Sequence, residues 1–443
     1  MQKLSTETGV KNIPSVFSFF IGMLIIANLW GCGDFMHPVE STPAPTEYTY
    51  NYWLLERTYL FEEELEKLEP EGDSVQTLYE VLDDPFTRYV APSKSEQTSI
   101  SINTSIVPGS LGMEYVLYAN QPYPLRIKRV YPNGPAGRAG IRRWGYIMEV
   151  NGKSLLQTET FSYSAAYNTY DSVLNYNKSI ELKVAYEDDT LSYKMEKEDV
   201  YAPTVFVDTT IDGTIVVTIT EFKQTTADKE KGSYGELKAY LDSTRNYSKP
   251  RILDLRNNPG GHVTQCVNMA DLFIKSGPIS TRSWRTFNGD GTPVKKSNTS
   301  NAISGDAGEE GKFLALVNGG SASCAEIFTA AIAEGAGIPV AGDTTYGKGI
   351  GQTTWNTMAG GLAIITNLEF LTPKGNSYHK IGIIPDYPCQ SVDLNCGMKA
   401  LEKYYGKKFS DSEDDKVSKK AISPSKPSIG GAFIESEEPF LIF

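Results

Sequence analysis

The sequence predicts an α/β core preceded by a small β-rich module and a short helical segment. Three observations carry this. Apolar residues recur at near-helical spacing among glutamates around residues 50–68. Short apolar runs broken by Gly and Pro fill residues 104–200. From 201 to 396, β-branched strands alternate with small-residue helices, and glycine-rich turns follow strands directly. At 443 residues the chain is too long for one core, and 40% hydrophobic residues is an ordinary globular share. A formal net charge of −12 gives a surface that repels phosphate backbones, so no nucleic-acid partner is expected.

Residues 1–31 read as an address. Lys3 and Lys11 flank an apolar run over 16–30, too short for a comfortable bilayer span and suited to a signal-peptide core. The run ends in Leu29-Trp30-Gly31-Cys32, which resembles a bacterial lipobox and implies lipidation of Cys32. An uncleaved anchor is the alternative. Either way the bulk of the chain is expected in the cell envelope, outside the cytoplasm, periplasmic or surface-facing. Residues 32–48 are rich in Pro, Ser, Thr and Glu and read as a flexible tether.

The helical segment spans 49–103. Trp53, Leu54, Leu60, Leu65 and Leu68 predict one helix over 50–68, and a second runs near 74–82. Asp84-Pro85-Phe86-Thr87-Arg88-Tyr89-Val90 then turns into an extended stretch. The segment reads as a cap without chemistry. In residues 104–200, Gly109-Ser110-Leu111-Gly112-Met113 is a Gly-flanked loop feeding a strand, 127–131 is a strand, 134–141 a turn and short helix, and 145–152 a strand closed by an Asn151-Gly152 hairpin turn. In the core, 214–219, 251–255, 313–317 and 362–365 read as strands, while 235–241 and 325–333 read as helices. Residues 397–443 read as a tail, partly disordered, with a Lys/Ser-rich stretch.

Two turns stand where α/β folds place active sites. In Asp254-Leu255-Arg256-Asn257-Asn258-Pro259-Gly260-Gly261 the paired glycines permit close backbone approach and expose amides. In Val317-Asn318-Gly319-Gly320-Ser321-Ala322-Ser323-Cys324-Ala325-Glu326 a serine opens a helix, whose N-terminus favours developing negative charge. Such a serine is also an ordinary helix cap. The third segment, Gly347-Lys348-Gly349-Ile350-Gly351-Gln352, sets a lysine between glycines, as if it must approach another backbone closely.

Taken together these residues resemble the C-terminal processing peptidases, or tail-specific proteases. Lys348 follows Ser323 by 25 residues and Gln352 follows Lys348 by four, as in that family, and Gly382-Ile383-Ile384-Pro385-Asp386 matches the segment closing its core. Residues 104–200 resemble a PDZ domain of the bacterial, protease-associated type. The resemblance implies an α/β core of the ClpP/crotonase-like type over 201–396, a PDZ domain that captures protein C-termini through Ser110, Leu111, Gly112 and Met113, and a Ser–Lys dyad. In it Ser323 is the nucleophile, Lys348 the general base and Gln352 the residue that orients the lysine. Backbone amides of Cys324 and of Gly260 or Gly261 form the oxyanion hole. Expected partners are protein or peptide substrates with exposed C-termini, and the membrane through the lipid anchor. Oligomeric state is left open.

Alternatives remain. His262 or His379 could serve a Ser–His hydrolase, Cys324 could be a reactive thiol, or the chain could be a non-catalytic PDZ-containing binding lipoprotein on a peptidase fold. With three histidines and no dense carboxylate or His/Cys cluster, no metal and no cofactor are expected. Cys389 and Cys396 lie seven apart and form either a disulfide or two unrelated thiols, and Cys266 is expected to pack on the helix after Gly261.

Overall fold

Runs such as Ile215–Ile219 and Phe313–Val317 carry branched or apolar side chains at nearly every position, the pattern of strands buried on both faces. In the computed structural model, which describes residues 45–210, 213–245, 247–303, 311–389 and 391–406, they are central strands of the core. The expected signal peptide, Cys32, most of the tether and the tail beyond residue 406 lie outside the described residues.

The core sheet runs Val205–Thr209, Ile215–Ile219, Arg251–Asp254, Phe313–Val317, Val340–Gly342 and Tyr387–Pro388. The first pair is antiparallel and the rest are parallel. Helices Gly232–Ser243, Val263–Asp271 and Cys324–Ala336 bury Leu237, Met269 and Phe328 against one face. Leu394–Tyr405 covers the other face with Cys396, Ala400 and Leu401. The boundary expected at 396/397 therefore falls inside a helix, which carries the core on to Tyr405.

A second, antiparallel sheet is built on the long strand Leu362–Leu371. Arg88–Val90 and Pro278–Phe287 pair with it, and Ile350–Asn356 pairs with it as well. The N-terminal segment packs here. Its helix begins at Glu47, inside the stretch expected to be tether, and ends at Thr58 rather than continuing to residue 68. No Pro or Gly stops it. The chain leaves the helix because Leu60 N–H donates to Thr366 C=O, and Leu54, Leu55 and Tyr59 are buried against Ala363 and Ile365. A 3-10 turn, Glu62–Lys67, follows.

The module at 104–200 is entered and left through two paired strands, Ile106–Ser110 and Glu198–Tyr201. Its main sheet orders Met113–Leu117, Leu125–Val130, Tyr146–Val150, Ser179–Ala185 and Thr190–Glu196 around a core of its own, with Ile127, Ile147 and Leu182 fully buried. Helices Pro135–Arg138 and Tyr163–Tyr176 complete it. Asn151 and Gly152 both take positive φ, 46° and 75°, as a two-residue hairpin turn requires.

Candidate active site

The two glycine-rich turns are sewn together by short polar side chains. Asn258 is fully buried: its side-chain amide donates to Ile219 C=O, its Oδ1 accepts from Gly260 N–H at 2.9 Å, and its C=O accepts from Ala322 N–H. Ser321 Oγ donates to Leu255 C=O, and Asn318 exchanges hydrogen bonds with Asn257. Gly260 has φ +101°, and a Cβ there would lie 2.8 Å from the Ser323 Cβ and 2.9 Å from the Cys324 nitrogen. Only glycine lets the turns meet this closely.

The Gly260 amide does not fit the oxyanion hole expected of it. The Gly260 amide is spent on Asn258 and is not free to face a ligand. Gly260 C=O and His262 N–H both pair with Phe222, so alternation along the chain turns the intervening Gly261 N–H away from that strand.

Ser323 joins the strand Phe313–Val317, by way of its turn, to the helix Cys324–Ala336. Its φ of +54° is left-handed, a region in which a non-glycine residue is strained. The conformation is held by Glu326, a fully buried carboxylate one turn into the helix. Oε2 accepts from Ser323 N–H at 2.8 Å and from Lys348 N–H at 2.7 Å. Oε1 accepts from Gly347 N–H and from the Thr345 hydroxyl, each at 2.6 Å. One side chain thus fixes the backbones of the candidate nucleophile and the candidate base.

The Lys348 amine donates to Gln352 Oε1 at 3.1 Å, and Gln352 Nε2 donates to Thr366 Oγ1 at 3.0 Å. The second bond fixes which end of the amide meets the lysine. The flanking glycines do admit a neighbouring backbone, that of residues 379–382: a Cβ on Gly347 or Gly349 would come within about 3.0 Å of it. Burial pushes the Lys348 pKa below its ordinary value, Asp84 opposes this, Arg88 adds to the lowering, and Glu326 opposes.

The N-terminal segment, read from the sequence as a cap without chemistry, reaches the candidate base. The Lys348 amine lies 4.0 Å from the centroid of the Phe86 ring, and Thr87 Oγ1 accepts from Thr366 N–H at 2.8 Å. Helical periodicity says nothing about a ring in the turn that follows; the cue was the apolar Phe86 between a proline and polar residues.

His262 Nδ1 lies 2.9 Å from Thr264 Oγ1, and its pKa is lowered by burial. His379 is half-buried, and burial, then Lys380, lowers its pKa, with the Gly347 backbone opposing. The reactive-thiol alternative fails because Cys324 is bonded to Cys266, each fully buried. Cys389 and Cys396 form a second disulfide. Ser110, Leu111, Gly112 and Met113 lie in the module at 104–200, where the strand Ile106–Ser110 passes into the edge strand Met113–Leu117. Among the described residues no group of His, Cys, Asp and Glu could hold a metal, and no helix is long and apolar enough to cross a membrane.

Residues 213–389, which contain both turns and Lys348, match the model of peptidase family S41. This segment of the chain is thus similar to the S41 peptidases. It is 29% identical over 347 residues to a protein of Staphylococcus aureus (strain N315) named "Probable CtpA-like serine protease", covering 76% of this chain and 62% of that one. A protein of the same name from Staphylococcus saprophyticus is 29% identical over 319 residues, covering 71% and 59%. The chain thus spans about six tenths of the length of these relatives. A solved structure from Bacteroides fragilis, provisionally assigned to the S41 proteases, shares the fold, with a TM-score of 0.53 at 14% identity over 81% of this chain and 97% of that one. The resemblance to C-terminal processing peptidases read from the motifs agrees with the S41 match and the CtpA-like relatives.

Proposed function

We propose that this protein is a serine endopeptidase in which Lys348 activates Ser323. The observation that carries the reading is the Glu326 carboxylate oxygen shared by the amides of Ser323 and Lys348, with Gln352 directing the lysine amine. A neutral Lys348 amine takes the Ser323 hydroxyl proton as Oγ attacks the substrate carbonyl. The resulting oxyanion is held by the Cys324 amide, at a helix N-terminus, and by Gly261. Collapse expels the amine, which takes the proton from the lysine, and leaves an acyl-enzyme. Water, deprotonated by Lys348, attacks the acyl carbon, and collapse breaks the bond to Ser323 Oγ, which takes that proton back from Lys348 as the acid leaves. A free lysine is less than 0.1% neutral at about pH 7, so the lowered pKa of Lys348 is what makes this step accessible.

The core belongs, in this reading, to the ClpP/crotonase-like type, and the module at 104–200 is a PDZ domain. Its edge strand Met113–Leu117 offers a free side to which a substrate C-terminus can add as a strand, the carboxylate meeting the 110–113 loop. A lipid on Cys32 holds the protein on the outer side of a bacterial membrane, and two disulfides suit that oxidising compartment. The test is degradation of an unfolded protein with an apolar C-terminus. Wild type should be active, and Ser323→Ala and Lys348→Ala should both lose about 1000-fold or more. A Lys348→Ala protein of full activity would remove the base assignment. Wild-type inactivity, with tight binding of the same substrate, would favour the binding lipoprotein.

A further inference from the structure

The turn Asp84–Arg88 lies 262 residues before the lysine it touches, outside the matched peptidase segment, yet it closes one side of the base. Phe86, half-buried, sets its ring against the amine at 4.0 Å. The turn is rigid: Asp84 Oδ1 accepts from Phe86 N–H at 3.0 Å, and Asp84 Oδ2 accepts from the Thr87 hydroxyl at 2.6 Å. Thr87 Oγ1 in turn accepts from Thr366 N–H, and Thr366 Oγ1 accepts from the Gln352 amide that aims the lysine. The following strand, Arg88–Val90, is locked to Leu362–Leu371 by the pairs Arg88↔Ile364, Tyr89↔Ala363 and Val90↔Leu362. One polar chain and one aromatic wall therefore reach the amine from the same five residues.

We propose that this turn is a working wall of the site, in which Phe86 keeps water from the Lys348 amine and Thr87 steadies, through Thr366, the Gln352 amide that orients it. The inference rests on the serine–lysine reading and deepens it. Phe86 and Thr87 are positioning residues, acting through Lys348 and Gln352. A ring beside an amine has two opposing effects. Its face attracts the ammonium, which favours protonation, and its bulk denies the ammonium water, which disfavours it. Burial is the leading cause of the lowered Lys348 pKa, and the bulk of the Phe86 ring is, in this proposal, part of that burial. The charged groups facing the amine are Asp84 and Arg88 from the turn and Glu326 from the Cys324 helix. Asp84 and Glu326 favour the ammonium and Arg88 disfavours it. The helices of the segment bury Leu54, Leu55 and Leu78 with Ala363 and Ile365, which anchors the turn.

The experiment compares pH profiles of kcat for the full chain and for Phe86→Ala, Phe86→Leu and Ser323→Ala, on one peptide substrate. Phe86→Ala admits water, so the rise of activity with pH should move to the alkaline side. Activity near pH 7 should fall by about tenfold and recover at high pH. Phe86→Leu keeps the amine dry and should stay close to wild type or move slightly to the acid side. A Phe86→Ala profile superimposable on wild type, or one lowered equally at every pH, overturns the proposal while leaving the Ser–Lys reading standing. Retained activity in Ser323→Ala overturns that reading and the proposal with it. A folded control is given by thermal melting: a Phe86→Ala protein melting with wild type but shifted in pH profile supports the wall.

Discussion

At the scale of single residues, the candidate site is organised by the Glu326 carboxylate rather than by its candidate nucleophile. Glu326 has no exposed surface and accepts four hydrogen bonds, three from amides and one from a hydroxyl. Hydrogen bonds to a charged group are each worth about 1.5–3 kcal/mol net. Glu326→Gln keeps the shape but turns an NH2 toward two donors, whichever way it is placed. It should lose about 2–4 kcal/mol of stability by the cost of buried unpaired donors. It should also lose kcat by about 100-fold with KM little changed, since it displaces the Ser323 and Lys348 backbones together. Denaturation curves and steady-state kinetics on the same preparation check both. A Glu326→Gln enzyme with wild-type kcat would mean that the carboxylate is structural only. Glu326 ends the second glycine-rich turn in the sequence, but its partners Thr345, Gly347 and Lys348 were not legible there, because they lie 19 to 22 residues further on. The same limit applies to Phe86: a turn residue carries no periodic signal, and its contact lies across the fold.

At the scale of elements, the core strands were legible because they are buried on both faces and so spell continuous apolar runs, such as Phe-Leu-Ala-Leu-Val at 313–317. The first helix was read too long because its end is set by a tertiary hydrogen bond from Leu60 to Thr366, not by a local stop signal. The last helix was missed because its buried stripe, Cys396, Ala400 and Leu401, is made of one large apolar residue and two small ones, and becomes apparent only where it packs on the sheet. Cysteine spacing suggested Cys389–Cys396, a local pair, but not Cys266–Cys324, whose separation is 58 residues. That second bond joins the helix after Gly261 to the first residue of the helix after Ser323, and so braces the two turns of the site against each other. By loop closure it contributes about 4 kcal/mol, against about 2 kcal/mol for the seven-residue loop. Cys266→Ala with Cys324→Ala should therefore lower the denaturation midpoint more than Cys389→Ala with Cys396→Ala. Only the first pair should also depress kcat. Equal midpoints would show that the bond does not brace the turns.

At the scale of the whole molecule, the question is how the module at 104–200 speaks to the core. The two are joined covalently through the paired strands Ile106–Ser110 and Glu198–Tyr201, so any tilt of the module bends both connections at once. Across the junction the Arg129 guanidinium stacks 3.9 Å from the Phe206 ring centroid, Tyr131 and Val200 pack with Ala202, and Arg143 pairs with Asp208 at 2.6 Å. The Arg143–Asp208 pair is a third exposed on each side and is worth at most about 1 kcal/mol, so it can be broken and remade during turnover. If the module captures C-termini, damage to its loop should separate capture from chemistry. Gly112 has φ +73°, and a Cβ there would meet the Gly134 Cα at 2.8 Å. Gly112→Ala should therefore distort the 110–113 loop without reaching Ser323. The expected outcome is a loss of binding to a fluorescent peptide with a free apolar C-terminus. Degradation of protein substrates should fall by about tenfold or more, with hydrolysis of a short peptide at the core retained. An amidated peptide should bind weakly to wild type for the same reason, having no carboxylate for the loop amides. If Gly112→Ala degrades proteins as fast as wild type while losing the peptide, the module does not select substrates, and the specificity of the enzyme must be sought at the rim of the Ser323 site itself.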